Sequence, residues 1–259
     1  VNRQQALAVL LAQLRRDGQQ QSGLDATLTP QDTVSAYQVA AMVEKELGWE
    51  VLGWKIAATN ETMQRALRAT SPIYGRVYAP NVVASPHTMA HAGLCSPIPE
   101  VEYQIFLSKD LPPRDEPYEQ PEVIDAVGSV HPGIELAECR FVHDENFPPL
   151  PAILADASGS GTLVYGPEIK HWQQHDIANQ EVRLYCNGKQ RRGGTAKATM
   201  EHPIVPLIWL VNELSRTGVG MQAGQVVSTG TMTGMLKPNA GETFVADFGE
   251  FGQVIIELT

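Results

Sequence analysis

The sequence predicts an α+β fold, and three observations carry that expectation. Helical periodicity governs the N-terminal part, short β-branched segments bounded by Pro, Gly or Asn take over from Val82, and no Rossmann-type βαβ series runs through the chain. Leu7, Leu10, Leu11 and Leu14 recur at i, i+3, i+4 and i+7, so a first helix presents one apolar face and ends near Gly18. Asp32 or Thr33 caps a second helix, whose Val39, Ala40, Val43 and Leu47 share a face until Gly48 stops it. Gly53 to Ala58 read as a short, mostly apolar strand. Asn60 then caps a third helix that reaches Ala69, and Pro72 and Gly75 close this section. Residues 1–80 are therefore expected as an N-terminal helical region, and residues 81–259 as a β-rich core.

Within that core the strand candidates are Val101 to Leu107, Gly133 to Phe141, Val182 to Cys186, Val226 to Thr229, Thr243 to Phe248 and Gln253 to Leu258. Asn187-Gly188 is a hairpin-turn signal. One helix interrupts the strands, with Ile204, Leu207, Ile208, Val211 and Leu214 on one face and Gly218 at its end. The segment from Pro112 to Glu122 holds four prolines and four acidic residues, which predicts either a solvated loop or a lid over a neighbouring site.

At 259 residues with 43% apolar and 19% charged side chains, the chain can bury a substantial core. Its formal charge of −10, from 29 acidic and 19 basic residues, would repel a nucleic-acid backbone. Lys189, Arg191 and Arg192 lie beside Gly193 and Gly194, as on a solvated hairpin tip. Cys95, Cys139 and Cys186 are too few for a disulfide framework and too scattered for a CxxC zinc site, which fits a reducing cytoplasm. The apolar run Ala6 to Ala12 falls short of the ~20 residues that span a bilayer and has the spacing of an amphipathic helix, so a soluble protein without membrane association is expected.

Strand alternation supplies the first chemical signal. In Pro99 to Leu107, the side chains of Val101, Tyr103, Ile105 and Leu107 share one face, leaving Glu100 and Glu102 together on the other. Two carboxylates ~7 Å apart repel unless water or a cation separates them, and a hard divalent ion is an efficient counter-charge. Glu135 sits in an otherwise apolar strand half, where an unpaired carboxylate would be costly to bury. Glu138 has a same-face partner in Arg140, and a structural ion pair is expected there. Three carboxylates completed by water would suit Mg²⁺ or Mn²⁺. His87 and His91, like His171 and His175, are four apart, yet neither pair lies in an amphipathic helix or in an H-E-x-x-H motif, and ordinary surface histidines are expected.

The order of motifs adds a resemblance. Gly53-Trp54-Lys55-Ile56, Pro72-Ile73-Tyr74-Gly75-Arg76-Val77, Glu100-Val101-Glu102 and Gly133-Ile134-Glu135 come first. Ala155-Asp156-Ala157-Ser158-Gly159-Ser160-Gly161, the helix around Trp209-Leu210-Val211-Asn212, and Val227-Ser228-Thr229-Gly230-Thr231-Met232-Thr233-Gly234 complete the series. From about Gly53 onward this series resembles the fumarylacetoacetate hydrolase superfamily, in its branch of 2-keto-4-pentenoate hydratases and 4-oxalocrotonate decarboxylases. The resemblance implies a curved, mixed β-sheet with flanking helices as the catalytic core, and Mg²⁺ or Mn²⁺ held by Glu100, Glu102 and Glu135. It implies a small 2-oxo or 2-hydroxydienoic acid as substrate, chelating the metal through its carboxylate and 2-oxo group. Lys55 would be the catalytic residue, assisting proton transfer or stabilising an oxyanion. Ser160, Thr231 and Thr233 would contact the substrate carboxylate or metal-bound water. The family usually assembles, so a homo-oligomer is expected, with a pathway enzyme as a conceivable partner.

Two departures bear on the reaction. Ala79-Pro80 stands where the hydratase pattern commonly has an acid, and Ala157-Ser158-Gly159 replaces the usual Asn-Ala-Ser. The leading expectation is a lyase that hydrates a 2-hydroxy-2,4-dienoate in aromatic-compound catabolism. Decarboxylation of a 2-oxo dioate and hydrolysis of an acylpyruvate are alternatives. Hydrolysis needs a positioned base, and no histidine precedes His87. A non-catalytic binding or partner subunit is the alternative of another class.

Overall fold

The computed structural model describes residues 2–259. In chain order the elements are α1 (Arg3–Asp17), α2 (Thr33–Leu47), β1 (Val51–Ala57), α3 (Glu61–Leu67), β2 (Ile73–Tyr78), β3 (Val82–Ala84), β4 (His87–Met89) and β5 (Ile98–Leu107). They continue with α4 (Gln120–Ala126), β6 (Val127–Ala137), α5 (Leu150–Ala155), β7 (Thr162–Tyr165), β8 (Val182–Cys186) and β9 (Lys189–Gly194). The last are α6 (Ala196–Met200), α7 (Ile204–Arg216), β10 (Val226–Ser228), β11 (Thr243–Asp247) and β12 (Gln253–Leu258).

Local chemistry sets the ends of the helices. Asp32 accepts from the Ser35 amide while Ser35 reciprocates, a capping box that starts α2, and the Asn60 side chain accepts from the Met63 amide to start α3. Gly18 and Gly48, at φ 59° and 64°, end α1 and α2 in left-handed geometry. Leu7 and Leu11 of α1 pack with Val39 and Val43 of α2 against Ala152 of α5 and Phe141.

Two mixed sheets form the body. A seven-stranded sheet runs β2-β1-β10-β5-β6-β7-β3, and a five-stranded one β4-β12-β11-β8-β9. β1 is parallel to β10, β3 to β7 and β12 to β4, and the other pairings are antiparallel. The main core lies between the sheets, where Tyr103 and Ile105 of β5 meet Phe244 and Ile256 of the smaller sheet and Leu207 and Leu210 of α7. The outcome is the α+β, curled mixed sheet with flanking helices that the sequence and the resemblance led one to expect.

Several expectations need correction. Residues 1–80 supply two strands of the large sheet, β1 and β2, besides their helices. The strand expected over Gly133 to Phe141 starts earlier, at Val127, and stops at Ala137, and α3 stops at Leu67 with Arg68 in left-handed geometry. Leaving the strand early removes the expected side-chain pair of Glu138 and Arg140, although Arg140 Nη2 still donates to the Glu138 carbonyl oxygen. Arg140 Nε instead pairs with Asp156 at 2.9 Å, and Glu138 accepts from the Cys95 amide. The segment around Pro112 to Glu122 is tied down on α7: the Tyr118 amide donates to Asn212, and the Arg114 amide to Ser215. It covers no part of the cavity described below. Asn187 and Gly188 do make the expected hairpin between β8 and β9, and the basic residues Lys189, Arg191 and Arg192 lie exposed on β9.

Candidate functional site

Strand register gathers the acidic residues. β5 and β6 run antiparallel with Glu100 opposite Glu135 and Glu102 opposite Gly133, so the carboxylates converge on one face of the pair. One oxygen from each of Glu100, Glu102 and Glu135 lies within 4.8 Å of the others, and no histidine joins such a cluster among the described residues. The side chains are 9%, 1% and 0% exposed. β10 lies between β1 and β5 and brings in Lys55, which is in register with Ser228. Lys55 Nζ stands 3.4 Å from Glu135 Oε1.

Glu102 is held from behind. The Ser228 hydroxyl donates to its Oε2 at 2.6 Å, and the Gly230 amide donates to the same oxygen at 2.8 Å. Gly230 has φ 109°, a backbone state that L side chains rarely adopt, and that turn aims its amide at the carboxylate.

Electrostatics marks the cluster as incomplete. Burial, against the pull of Lys55, raises the Glu100 carboxyl to about 7. Burial also pushes Glu102 well up, helped by the neighbouring Glu135 and Glu100, and it raises Glu135 despite Lys55. For Lys55, burial works downward, but Glu135, Glu100 and Glu102 together outweigh it and the ammonium is held charged. Ionised together, the three carboxylates would exceed the single ammonium by two charges, which is why burial raises all three. Apart from the Lys55 ion pair, neither oxygen of Glu135 has a hydrogen bond of good geometry. A divalent cation with oxygen ligands matches both the missing charge and the donor set.

The cluster lines the inner end of a cavity of about 610 Å³, within the range of small-molecule sites. Lys55, Glu100, Glu102 and Thr231 line it, as do Ser158 and Gly159. Glu135 joins through the cluster. Ser160 and Thr233 do not line the cavity: Ser160 is fully buried with an unpartnered hydroxyl, and Thr233 Oγ1 accepts from the Val101 amide. Thr231 Oγ1 accepts from the amides of Thr233 and Gly234, so it also shapes its own turn.

Sequence reading missed Ser228 as the support of Glu102, and Asp156 as the partner of both Arg140 and Arg15. A lone hydroxyl in the apolar run Val226-Val227-Ser228 was the available signal for Ser228. Asp156 anchors a turn in which Ala157, Ser158 and Gly159 are all left-handed. This turn carries Ser158 and Gly159 into the cavity wall.

Three buried carboxylates and an ammonium at a half-enclosed cavity are the feature that this α+β fold builds. The model of the fumarylacetoacetate hydrolase C-terminal family matches residues 80–259, and the chain belongs to that family. It is 26% identical over 96% of its length to the 2-keto-4-pentenoate hydratase 2 of Dechloromonas aromatica, covering 95% of that protein. It is 27% identical to the 2-oxo-hept-4-ene-1,7-dioate hydratase of Escherichia coli, over 80% of this chain and 78% of the other. The 4-oxalocrotonate decarboxylase of Pseudomonas putida G7, complexed with magnesium and adipate, shares the fold with a TM-score of 0.88 and 21% identity, over 99% of this chain and 97% of that one. No helix among the described residues is long and apolar enough to cross a membrane.

Proposed function

We propose that the chain is a divalent-metal-dependent hydro-lyase that adds water to a 2-hydroxy-2,4-dienoate. The observation that carries this reading is the buried trio of Glu100, Glu102 and Glu135 gathered beside a single ammonium, Lys55, at one cavity. Its relatives named as hydratases of 2-oxo and 2-hydroxydienoic acids support the substrate class. The three glutamates would hold Mg²⁺ or Mn²⁺, which when bound supplies Lewis-acid polarisation of the substrate's 2-oxygen.

The chain's own groups account for the rest. Lys55, an ammonium paired with Glu135, is a proton donor and an electrostatic partner for a developing oxyanion, not a base. Ser228 and the Gly230 amide fix Glu102, so the acidic face needs no reorganisation when substrate arrives. In the reaction the 2-hydroxyl proton is lost and a proton is gained at C5, giving a conjugated 2-ketone. Water then delivers hydroxide to C4 and a proton to C3. Ala79 and Pro80 themselves do not line the cavity.

The test is the ultraviolet absorbance of 2-hydroxy-2,4-dienoates with and without Mg²⁺ or Mn²⁺, with the products identified. Metal-dependent loss giving a 4-hydroxy-2-oxo acid is the expected result. Release of carbon dioxide from a 2-oxo dioate would assign a carboxy-lyase instead, and binding without turnover a non-catalytic subunit. Glu102→Gln is expected to abolish the metal-dependent loss while circular dichroism stays native. Full activity of that variant would remove the proposed site.

A further inference from the structure

The far end of the cavity is chemically unlike its acidic end. It opens between α3, the loop around Phe147 and the loop around Met235, and Met63, Leu67, Ile73 and Ile153 stand along it. Helix α3 buries none of its residues, yet Met63 and Leu67 are at i and i+4 and both face this space. Among the described residues the chain exposes six large apolar side chains, and Leu67, Phe147 and Met235, at 38%, 38% and 58%, stand at this one mouth. Half of the exposed large apolar residues gathered at one opening is a binding surface rather than scatter. A short unbranched acid seated at the glutamates would leave these walls facing water.

We propose, resting on the reading above, that this outer half is a subsite for an apolar tail at the end of the substrate remote from its acid group. The chain then favours dienoic acids ending in an alkyl or aryl group over those ending in a second carboxylate. The polar groups there do not argue for a dioate. Arg68 is exposed at the rim, where an ion pair contributes little. Burial and the nearby Lys237 hold the His143 imidazole below its usual range, so it offers no cation near neutral pH, and Lys237 is itself exposed, where, as for Arg68, an ion pair contributes little.

The experiment measures kcat/KM across 2-hydroxy-2,4-dienoates with hydrogen, methyl, propyl, phenyl or carboxyethyl at C5. The expected result is a rise of about tenfold from methyl to propyl, with the dioate below its alkyl match by at least that factor. Leu67→Arg is expected to narrow or invert that ratio. Preference for the dioate, or a flat series, overturns the proposal. If no member is turned over, the hydratase reading fails, and the subsite is still read directly from ¹³C-methyl spectra of methionine-labelled protein with Mg²⁺ and pyruvate, 2-oxooctanoate or 2-oxoadipate. The Met63 and Met235 signals are expected to move with 2-oxooctanoate and to stay in place with pyruvate. Signals that ignore the tail, or that respond more to 2-oxoadipate, overturn the subsite whatever the reaction proves to be.

Discussion

Lys55 and Ser228 illustrate how neighbours on adjacent strands divide the work around one acidic cluster. Removing the ammonium while keeping the side-chain volume, as in Lys55→Met, takes away a donor aimed into the cavity and also an opposing charge 3.4 Å from Glu135. The two losses act in opposite directions on different measurements. Turnover is expected to fall about 10²- to 10³-fold. Calorimetric affinity for Mn²⁺ should stay equal or rise, because a cation no longer competes with the ammonium for the carboxylates. A parallel fall in both would mean that Lys55 only holds the fold. Ser228→Ala leaves Glu102 with the Gly230 amide alone, and metal affinity is expected to weaken about 10- to 100-fold with little change in secondary structure. The glutamates were legible because alternation along a strand fixes which side chains share a face. Ser228 was not, because its role depends on β10 lying between β1 and β5, a non-local pairing that no local pattern encodes.

At the level of elements, the turn after α5 is where sequence and structure are most tightly bound. Ala157, Ser158 and Gly159 hold three successive left-handed conformations, costly for the first two, and the buried Arg140–Asp156 pair anchors them. β2 makes room for the turn at Gly75, where a Cβ would meet the Ala157 carbonyl oxygen at 1.7 Å. Gly75→Ala is therefore expected to cost about 3 kcal/mol in urea unfolding and to displace Ser158 and Gly159 from the cavity wall. The Pro112 to Glu122 segment shows the opposite case: its composition suggested a solvated excursion or a lid, while Asn212 and Ser215 of α7 hold it. Composition could not show this, because the tether lies on a helix far along the chain. Arg114, aided by the Glu119 amide, holds the Glu122 carboxyl down at about 2. Because the folded value is depressed, this contact stabilises the docked segment above the ordinary carboxylate range near ~4.3 and loses its effect as the pH falls toward about 2. Side-chain NMR should find Glu122 titrating near 2, and Arg114→Gln should return it toward the ordinary range.

For the whole molecule, helix periodicity and strand alternation were enough to read the α+β class, whereas the order of strands in the sheets was not readable from those patterns. That order converts separated acidic residues into one buried cluster, and it also makes the metal-free fold carry an electrostatic load. Ionising all three carboxylates beside one ammonium is costly in the buried, metal-free cluster, so a divalent ion that binds only the folded state, and favours the ionised carboxylates there, should stabilise the chain by mass action. At a concentration 100 times its dissociation constant the gain is about 2.7 kcal/mol, or about 5–10 °C in Tm for a chain of this size. Glu135→Gln removes one of the charges at the same position. Its metal-free form is expected to melt at or above the wild-type temperature, and the increment produced by Mg²⁺ or Mn²⁺ should vanish. The opposite pattern, a destabilised metal-free variant that still gains stability from Mn²⁺, would place the ion elsewhere in the molecule and leave Glu135 as a structural partner of Lys55.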